Sequence, residues 1–264
     1  MMGSPSNETG RNAAHEDWHK VTLTKAFYAG VYEVTQGQWQ QVMGDVRSWP
    51  ARWSNNDYRL TRPVEQVSYE DIRGTAAQGG AGWPANDSAY AESFVGRLRT
   101  KTGLAGFDLP TDAQWEYACR AGTTGALNDG TVNITNSNSD ARLDLLGRYQ
   151  YDGGKVWNGT KWDDPATDCT TANATAAVGS YAPNAWGLYD MHGNVWEWCL
   201  DWYAGNLGMA PAEDPTGSVS GSLRVDRGGG WRNSASSCRS AFRDGDDPSC
   251  RSPNLGFRLV RTLP

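Results

Sequence analysis

Lysine is scarce in this 264-residue chain, with five residues against 19 arginines, and the formal net charge is −6. The molecule as a whole therefore lacks the basic surface that nucleic acid or an anionic membrane attracts. No apolar run approaches the roughly 20 residues that a membrane-spanning helix needs, so no direct membrane insertion is expected. The opening Met1-Met2-Gly3-Ser4-Pro5 does not read as a signal peptide. Localisation stays open, with a cell-surface or secreted site following only if a signal was removed upstream. Five cysteines (Cys119, Cys169, Cys199, Cys238 and Cys250) form no CxxC or zinc-ligand spacing. Their odd number leaves at least one thiol unpaired or intermolecular, and the redox compartment is undecided. Only three histidines are present. Two of them form His15-Glu-Asp-Trp-His19, an HExxH match, but it runs straight into an alternating segment, and zinc protease chemistry needs both histidines on one helix face. That match reads as coincidence.

What is abundant is aromatic side chain and irregular backbone. Thirteen tryptophans are spread from Trp18 to Trp231, with 31 glycines and 12 prolines. Large rings can hold a domain together where regular elements are few. No internal repeat and no linker interrupts the chain, so residues 1–264 are expected to form a single domain. Val21–Lys25 and Phe27–Val34 read as extended strand from their alternation and β-branched content. Thr35 with Gln38 and Thr111 with Gln114 are capping-box signals, predicting helices over Gln36–Met43 and Gln114–Cys119; Ser68 is a further capped start. Tyr90, Phe94 and Leu98 mark an amphipathic helix within Ser88–Lys101, stopped by Gly103. The Trp- and Asn-rich stretch between Gly44 and Arg62 and residues 123–185 read as loop, with short strands near Arg148–Tyr151 and Ala177–Tyr181.

Two stretches carry most of the functional information. In Gly187-Leu-Tyr-Asp-Met-His-Gly-Asn-Val-Trp-Glu-Trp198, Asp190 and Glu197 flank a glycine turn. They could converge with turn carbonyls into the all-oxygen cage that calcium prefers, or pair with arginine in a Trp-rich core turn. From Arg224 onward there are eight arginines, four aspartates and no lysine, a local excess of +4 whose plain reading is arginine in structural ion pairs. Within it, Arg232–Asn254 alternates small and polar residues with a firmer frame of Cys238, Arg239, Arg243, Pro248 and Arg251. These 23 positions hold no Lys, Glu, Gln, Met or Trp, although those types fill 40 of the other 241. The residues present all have codons ending in a pyrimidine, as mutagenesis restricted to the first two bases of asparagine codons would leave them. The stretch reads either as an ordinary surface loop or as a frame presenting interchangeable contacts.

Taken together, the segments Tyr32-Glu-Val-Thr-Gln36, Arg62-Pro-Val64, Leu109-Pro-Thr-Asp-Ala-Gln-Trp-Glu-Tyr-Ala118, Gly187–Trp198, Arg227-Gly-Gly-Gly-Trp231 and Asn254-Leu-Gly-Phe-Arg258 resemble the formylglycine-generating-enzyme (sulfatase-modifying factor) family, in family order. Met2-Gly-Ser-Pro5 matches too, with the usual opening strand cut into at Met1. The resemblance implies an irregular α+β variant of the C-type lectin fold. It also implies a structural calcium held by Asp190, Gly193, Val195 and Glu197, the middle two through carbonyls. The family's oxidase activity rests on two cysteines, five residues apart, that bind copper. The second matches Cys238 and the first falls on Asn233, so no copper is expected, since soft Cu(I) favours a linear two-sulfur site.

The terminal pieces Gly229-Gly-Trp231, Cys238-Arg-Ser-Ala-Phe-Arg243 and Gly256-Phe-Arg-Leu-Val260 are similar, more narrowly, to variable proteins of diversity-generating retroelements. That likeness implies a variable region over about 224–264 that binds a variable macromolecular ligand, expected to be a protein and not nucleic acid. The expected contacts are Arg232, Asn233, Ser234, Ser236, Ser237, Phe242, Asp244, Gly245, Asp246, Asp247, Ser249, Cys250, Ser252 and Pro253, with Phe242 as the apolar anchor. The alternatives are a divergent oxidase using Cys238 with another thiol, or a structural lectin-like module with no diversification.

Overall fold

The computed structural model describes residues 1–44, 60–151, 175–263 and the backbone of 156–157 and 162–163. Of the Trp- and Asn-rich loop expected between Gly44 and Arg62, residues 45–59 lie outside the described residues. Four of the α-helices start at a side-chain cap. Thr35 and Gln38 form a reciprocal box at α1 (Gln36–Met43), Ser68 and Asp71 at α2 (Tyr69–Arg73), and Thr111 and Gln114 at α4 (Asp112–Arg120). Gly44 ends α1 in the left-handed conformation that glycine adopts without penalty.

Helix α3 (Phe94–Thr102) begins six residues later than the apolar stripe predicts. Ser93 is its cap, and the preceding residues turn back so that Tyr90 N–H donates to the Arg73 carbonyl. Gly96 rests on the Tyr90 carbonyl, where a Cβ would clash. Tyr90 therefore packs from a turn, which its spacing alone does not reveal. The extended reading of Phe27–Val34 shortens likewise, to β2 (Phe27–Ala29), and Val21–Lys25 to β1 (Val21–Thr22). Neither strand expected at Arg148–Tyr151 or Ala177–Tyr181 forms. Asn194 N–H donates to the Arg148 carbonyl and Gln150 N–H to the Asn233 carbonyl, while Ala177–Tyr181 is a turn in which Val178 N–H donates to the Thr61 carbonyl.

Among the described residues, β1 pairs in parallel with β7 (Ala212–Glu213) and β4 (Val156–Trp157) antiparallel with β5 (Trp162–Asp163), and two larger sheets bring the C-terminal strands together. Strands β6 (Trp196–Trp202), β8 (Arg224–Arg227) and β9 (Arg243–Asp246) run antiparallel, and β10 (Leu255–Gly256) joins β6 in parallel, in the order β10-β6-β8-β9. In the other sheet, β11 (Val260–Thr262) lies antiparallel between β2 and β3 (Phe107–Asp108). The arrangement is a mixed α+β fold of the C-type lectin type, with few helices and much loop.

Aromatic rings fill the spaces between these short elements. Trp39 stacks on Phe94 at 5.1 Å between centroids, and Phe257 meets both rings edge-on; Tyr69 and Trp198 extend the same cluster. Trp115, Met191, Cys199 and Val225 form a second cluster on the other side of β6 and β8. Ring burial supplies more apolar area per residue than the sparse aliphatic content could.

Arginines are buried among the rings. Arg73, Arg224, Arg227, Arg239 and Arg258 are all essentially inaccessible to solvent. Arg73 pairs with Asp108, Arg227 with Asp112 and Glu116, Arg239 with Glu8 and Glu16, and Arg258 with Glu197. The local excess of positive charge after residue 224 is thus spent largely inside the fold. A buried charge is tolerable only when paired and hydrogen-bonded; four of these are ion-paired, and Arg224 is held by the Leu200 and Ala81 carbonyls and the Trp202 ring.

Candidate functional site

The turn after Gly187 places Asp190 in the left-handed region, at φ 57°. The turn aims its carboxylate into a closed cluster with Glu33, Glu197 and Arg258. Glu197 accepts from Arg258 Nε and Nη2, both at 2.7 Å, and from Trp115 Nε1 at 2.6 Å. Asp190 Oδ2 accepts from Gly179 N–H at 2.7 Å, but among the described residues its Oδ1 meets no donor other than the neighbouring Glu33 carboxyl. Neither oxygen of Glu33, which is 1% exposed, has another hydrogen-bond partner among them. Three carboxylates thus face one guanidinium. Burial, then the charges of Asp190 and Glu197, push the Glu33 carboxyl well above its usual range, and burial raises Asp190 to about 6.

Of the four residues expected around a calcium ion, Asp190 fits that role, because among the described residues one of its buried oxygens meets only the Glu33 carboxyl. Glu197 differs from expectation: both its oxygens are already engaged by Arg258 and Trp115, the arginine-paired alternative. The uncommitted carboxylate is Glu33, which lies in the quoted segment Tyr32–Gln36 but carries no spacing signal toward Asp190. No group of three or more His, Cys, Asp or Glu side chains among the described residues is placed to hold a metal ion by itself. A cation here would lean on Asp190, Glu33 and backbone carbonyls.

The residues of the HExxH match serve other partners. His15 Nδ1 meets the Tyr203 hydroxyl at 2.8 Å, Glu16 pairs with Arg239, and His19 Nδ1 meets the Asp17 carbonyl at 2.8 Å. The segment is turn and bridge, not helix.

At the copper positions of the family, Cys238 is fully buried, and Gly229 packs against its sulfur so closely that a Cβ would lie 2.6 Å away. Asn233 Oδ1 accepts from Trp196 Nε1 and from Asn254 Nδ2, each at 2.9 Å. No disulfide joins any two described cysteines. Cys119 is buried, and its thiol is pushed up to about 12 by that burial. His192 is held neutral, its acidity set at about 4 by burial, with Asn128 N–H donating to Nε2 and Nδ1 facing the Cys238 carbonyl. A dry, unionised thiol is a poor nucleophile and a poor metal ligand.

The stretch from Arg232 to Pro253 separates into two sets. Trp231, Ala235, Cys238, Arg239, Ser240, Ala241, Arg243 and Asn254 are buried. Arg239 clasps the N-terminal segment through Glu8 and Glu16, Arg243 pairs with Asp112 at 2.7 Å, and Trp231 Nε1 donates to the Pro253 carbonyl. Arg251, expected in the frame, grips Asp71 with both ends of its guanidinium but remains exposed.

Of the fourteen expected contact residues, Asp244, Asp247 and Ser249 are exposed and the other eleven are half-buried. None is fully buried. Three of them depart from the picture of an interchangeable side chain. Asn233 is a hydrogen-bond latch between Trp196 and Asn254. Gly245 lies under Tyr203, where a Cβ would meet the ring at 2.7 Å. Phe242 leans on Trp196, with ring centroids 5.9 Å apart, and packs against the main aromatic cluster. Sequence spacing marks these three as variable because it carries no information on what lies underneath. A separate groove of about 600 Å³, lined by residues such as Leu23, Trp83, Leu104, Pro215 and Leu263, contains none of the fourteen.

The fold and this alternation of buried frame and accessible positions define a C-type-lectin-type domain. Residues 2–263 match the sulfatase-modifying factor enzyme 1-like domain, and the chain belongs to that family. It is 38% identical over 164 residues to the formylglycine-generating enzyme of Streptomyces coelicolor, a match covering 59% of this chain and 47% of the enzyme. It is 29% identical to the chaperone protein LppX of Paenibacillus barcinonensis, covering 92% of this chain and 82% of LppX. The chain therefore spans less than half of the Streptomyces enzyme's length. Among solved structures, Treponema denticola variable protein 1 superimposes with a TM-score of 0.70 at 27% identity, covering 98% of this chain and 93% of that one. PvdO from Pseudomonas aeruginosa superimposes with a TM-score of 0.69 at 27% identity, over 99% and 90% of the two chains.

Proposed function

We propose that this chain is a ligand-binding display protein whose contacts come from the accessible positions between Arg232 and Pro253, and that it is not an oxidase. One observation carries the reading. Every one of the fourteen expected contacts has solvent access, while most of the residues between them, Ala235, Cys238 to Ala241 and Arg243, are buried, with Arg239 and Arg243 held there by ion pairs. A scaffold of that kind can exchange most of its accessible side chains, Asn233 and Gly245 apart, without losing its fold, because volume and polarity are constrained chiefly at buried positions. Its rigidity also limits the entropy lost on binding. The ligand class that this reading implies is a protein or other macromolecule, as the likeness to a variable protein supports.

The catalytic alternative is disfavoured by chemistry on this chain. Asn233 offers no thiolate, and Cys238 is sealed beneath Gly229. Incubation with a Cys-x-Pro-x-Arg peptide, with and without copper, followed by mass spectrometry, should show no aldehyde; aldehyde that tracks added copper would overturn the proposal. A structural calcium belongs to the same proposal, seated at Asp190 with the Gly193 and Val195 carbonyls, and with Glu33 as the uncommitted carboxylate. Its role would be to neutralise the cluster and hold the turn.

A further inference from the structure

A second carboxylate cluster lies at the edge of the variable surface, and among the described residues no arginine forms an ion pair with it. Asp226 of β8 is 2% exposed, and its Oδ2 has no hydrogen-bond partner. The ladder sets it directly opposite Asp244 of β9, with Asp246 two residues further along the same strand. Alternation along a strand puts Asp244 and Asp246 on one face, and cross-strand pairing puts Asp226 on that face with them. Burial, then the charges of Asp244 and Asp246, hold the Asp226 carboxyl well above its ordinary range. Burial and Asp244 likewise raise Asp246.

The nearby cations are all otherwise engaged. Arg227 is turned to Asp112 and Glu116, and Arg243 to Asp112. Arg224, opposite Asp246 in the ladder, lies over the Trp202 ring and donates to the Leu200 and Ala81 carbonyls. Arg251 is held by Asp71. The partnerless oxygen of Asp226 thus lies beside two carboxylates, Asp244 and Asp246, that belong to the variable stretch. Three carboxylates with no ion-paired guanidinium among the described residues match a cation that carries several hydrogen-bond donors.

We infer that Asp226, Asp244 and Asp246 form an acceptor site for an arginine side chain presented by a protein ligand. A guanidinium has five N–H donors in a planar fork, enough to satisfy the buried Asp226 oxygen and the two neighbouring carboxylates together. The weaker hydration of guanidinium also makes its approach to a half-buried site less costly than that of an ammonium. This inference rests on the display-protein reading and adds the chemistry of one contact to it.

The test is selection of a phage-displayed random dodecapeptide library on the immobilised full chain, followed by affinity measurement on a synthetic copy of the most enriched peptide. Enriched peptides should share an arginine. Replacing that arginine by glutamine, or Asp244 by asparagine in the protein, should each weaken binding by about tenfold or more, as loss of one partner of a desolvated charge pair does. Asp244 is exposed, so Asp244→Asn should keep the native melting curve; Asp226→Asn, the second variant, should weaken binding as well. Enrichment of peptides with no basic residue, or affinity unchanged within about twofold in Asp244→Asn, would overturn the acceptor site and leave the display reading standing. No enrichment over a control chain with Ser234, Ser237, Asp247 and Ser249 all replaced by alanine would overturn both.

Discussion

The two carboxylate clusters of this molecule differ in one respect: only one contains an arginine. Around Asp190, Arg258 grips Glu197 and the site is sealed among Tyr189, Trp115 and the chain near Gly30. Around Asp226, three carboxylates gather at the edge of the sheet, and every neighbouring guanidinium is committed elsewhere. The same contrast separates frame from surface throughout the last forty residues. Most charge that serves the fold is paired and buried; left over are Asp244, which is exposed, and Asp226, which is buried without a partner among the described residues. Unpaired buried charge is too costly to persist without a purpose or a partner, so the leftover carboxylates direct attention to binding, and the paired ones to stability.

The sharpest way to break this comparison is to remove a frame arginine. Arg239→Ala leaves Glu8 and Glu16 buried and unpaired and releases the N-terminal segment. It should destabilise the protein by about 3–5 kcal/mol in urea denaturation. A loss near zero would mean that these pairs are incidental.

The proposed calcium tests the Asp190 cluster next. Added to a metal-stripped sample at a hundred times its dissociation constant, calcium should stabilise the fold by about 2.7 kcal/mol. Asp190→Ala should abolish that increment. If the melting curve of a calcium-free sample, verified by elemental analysis, ignores added calcium, the cluster is closed by protons alone.

A third prediction uses a buried acid that neither cluster contains. Asp201 is raised to about 7 by burial and then by the charge of Asp112. Its unfolded value is near ~3.9. Between those limits the folded protein keeps a proton that the unfolded chain has released, so this group makes stability fall as pH rises toward 7. His192, held down at about 4, contributes a slope of the opposite sign over ~4 to 6.5. Asp201→Asn should remove the first contribution alone. The wild-type-minus-variant difference in urea midpoint should therefore grow more negative from pH 5 to 8, and a flat difference would contradict the assignment.

The smallest effects should come from the variable positions. Ser234, Ser237, Asp247 and Ser249, replaced singly, should each change stability by less than about 0.5 kcal/mol. Gly245 and Asn233 should not behave this way, because one lies under Tyr203 and the other bridges Trp196 to Asn254. A thermal scan across positions 231–258 would show whether accessible and buried positions separate as described; if they lose stability alike, the stretch is ordinary core.

Much of this was open to reading in the chain itself. The capping pairs Thr35–Gln38 and Thr111–Gln114 determine where two helices start, because the signal is local and chemical. The family segments in order point to the fold, and Asn233, five positions before Cys238, is what motivates the proposal that the chain is not an oxidase. Tertiary structure decided the rest. Tyr90 fits a helical stripe by spacing, yet Ser93 and Gly96 force the chain to turn before the helix begins. Glu33 and Asp190 are 157 positions apart, and no periodicity links them; only the packing of the turn after Gly187 against the Tyr32–Gln36 segment makes them neighbours. Nor does sequence reveal which carboxylates an arginine will reach. Eight arginines follow residue 223, and their allocation, leaving Asp226 without a partner, depends on which side of a four-residue strand each one leaves.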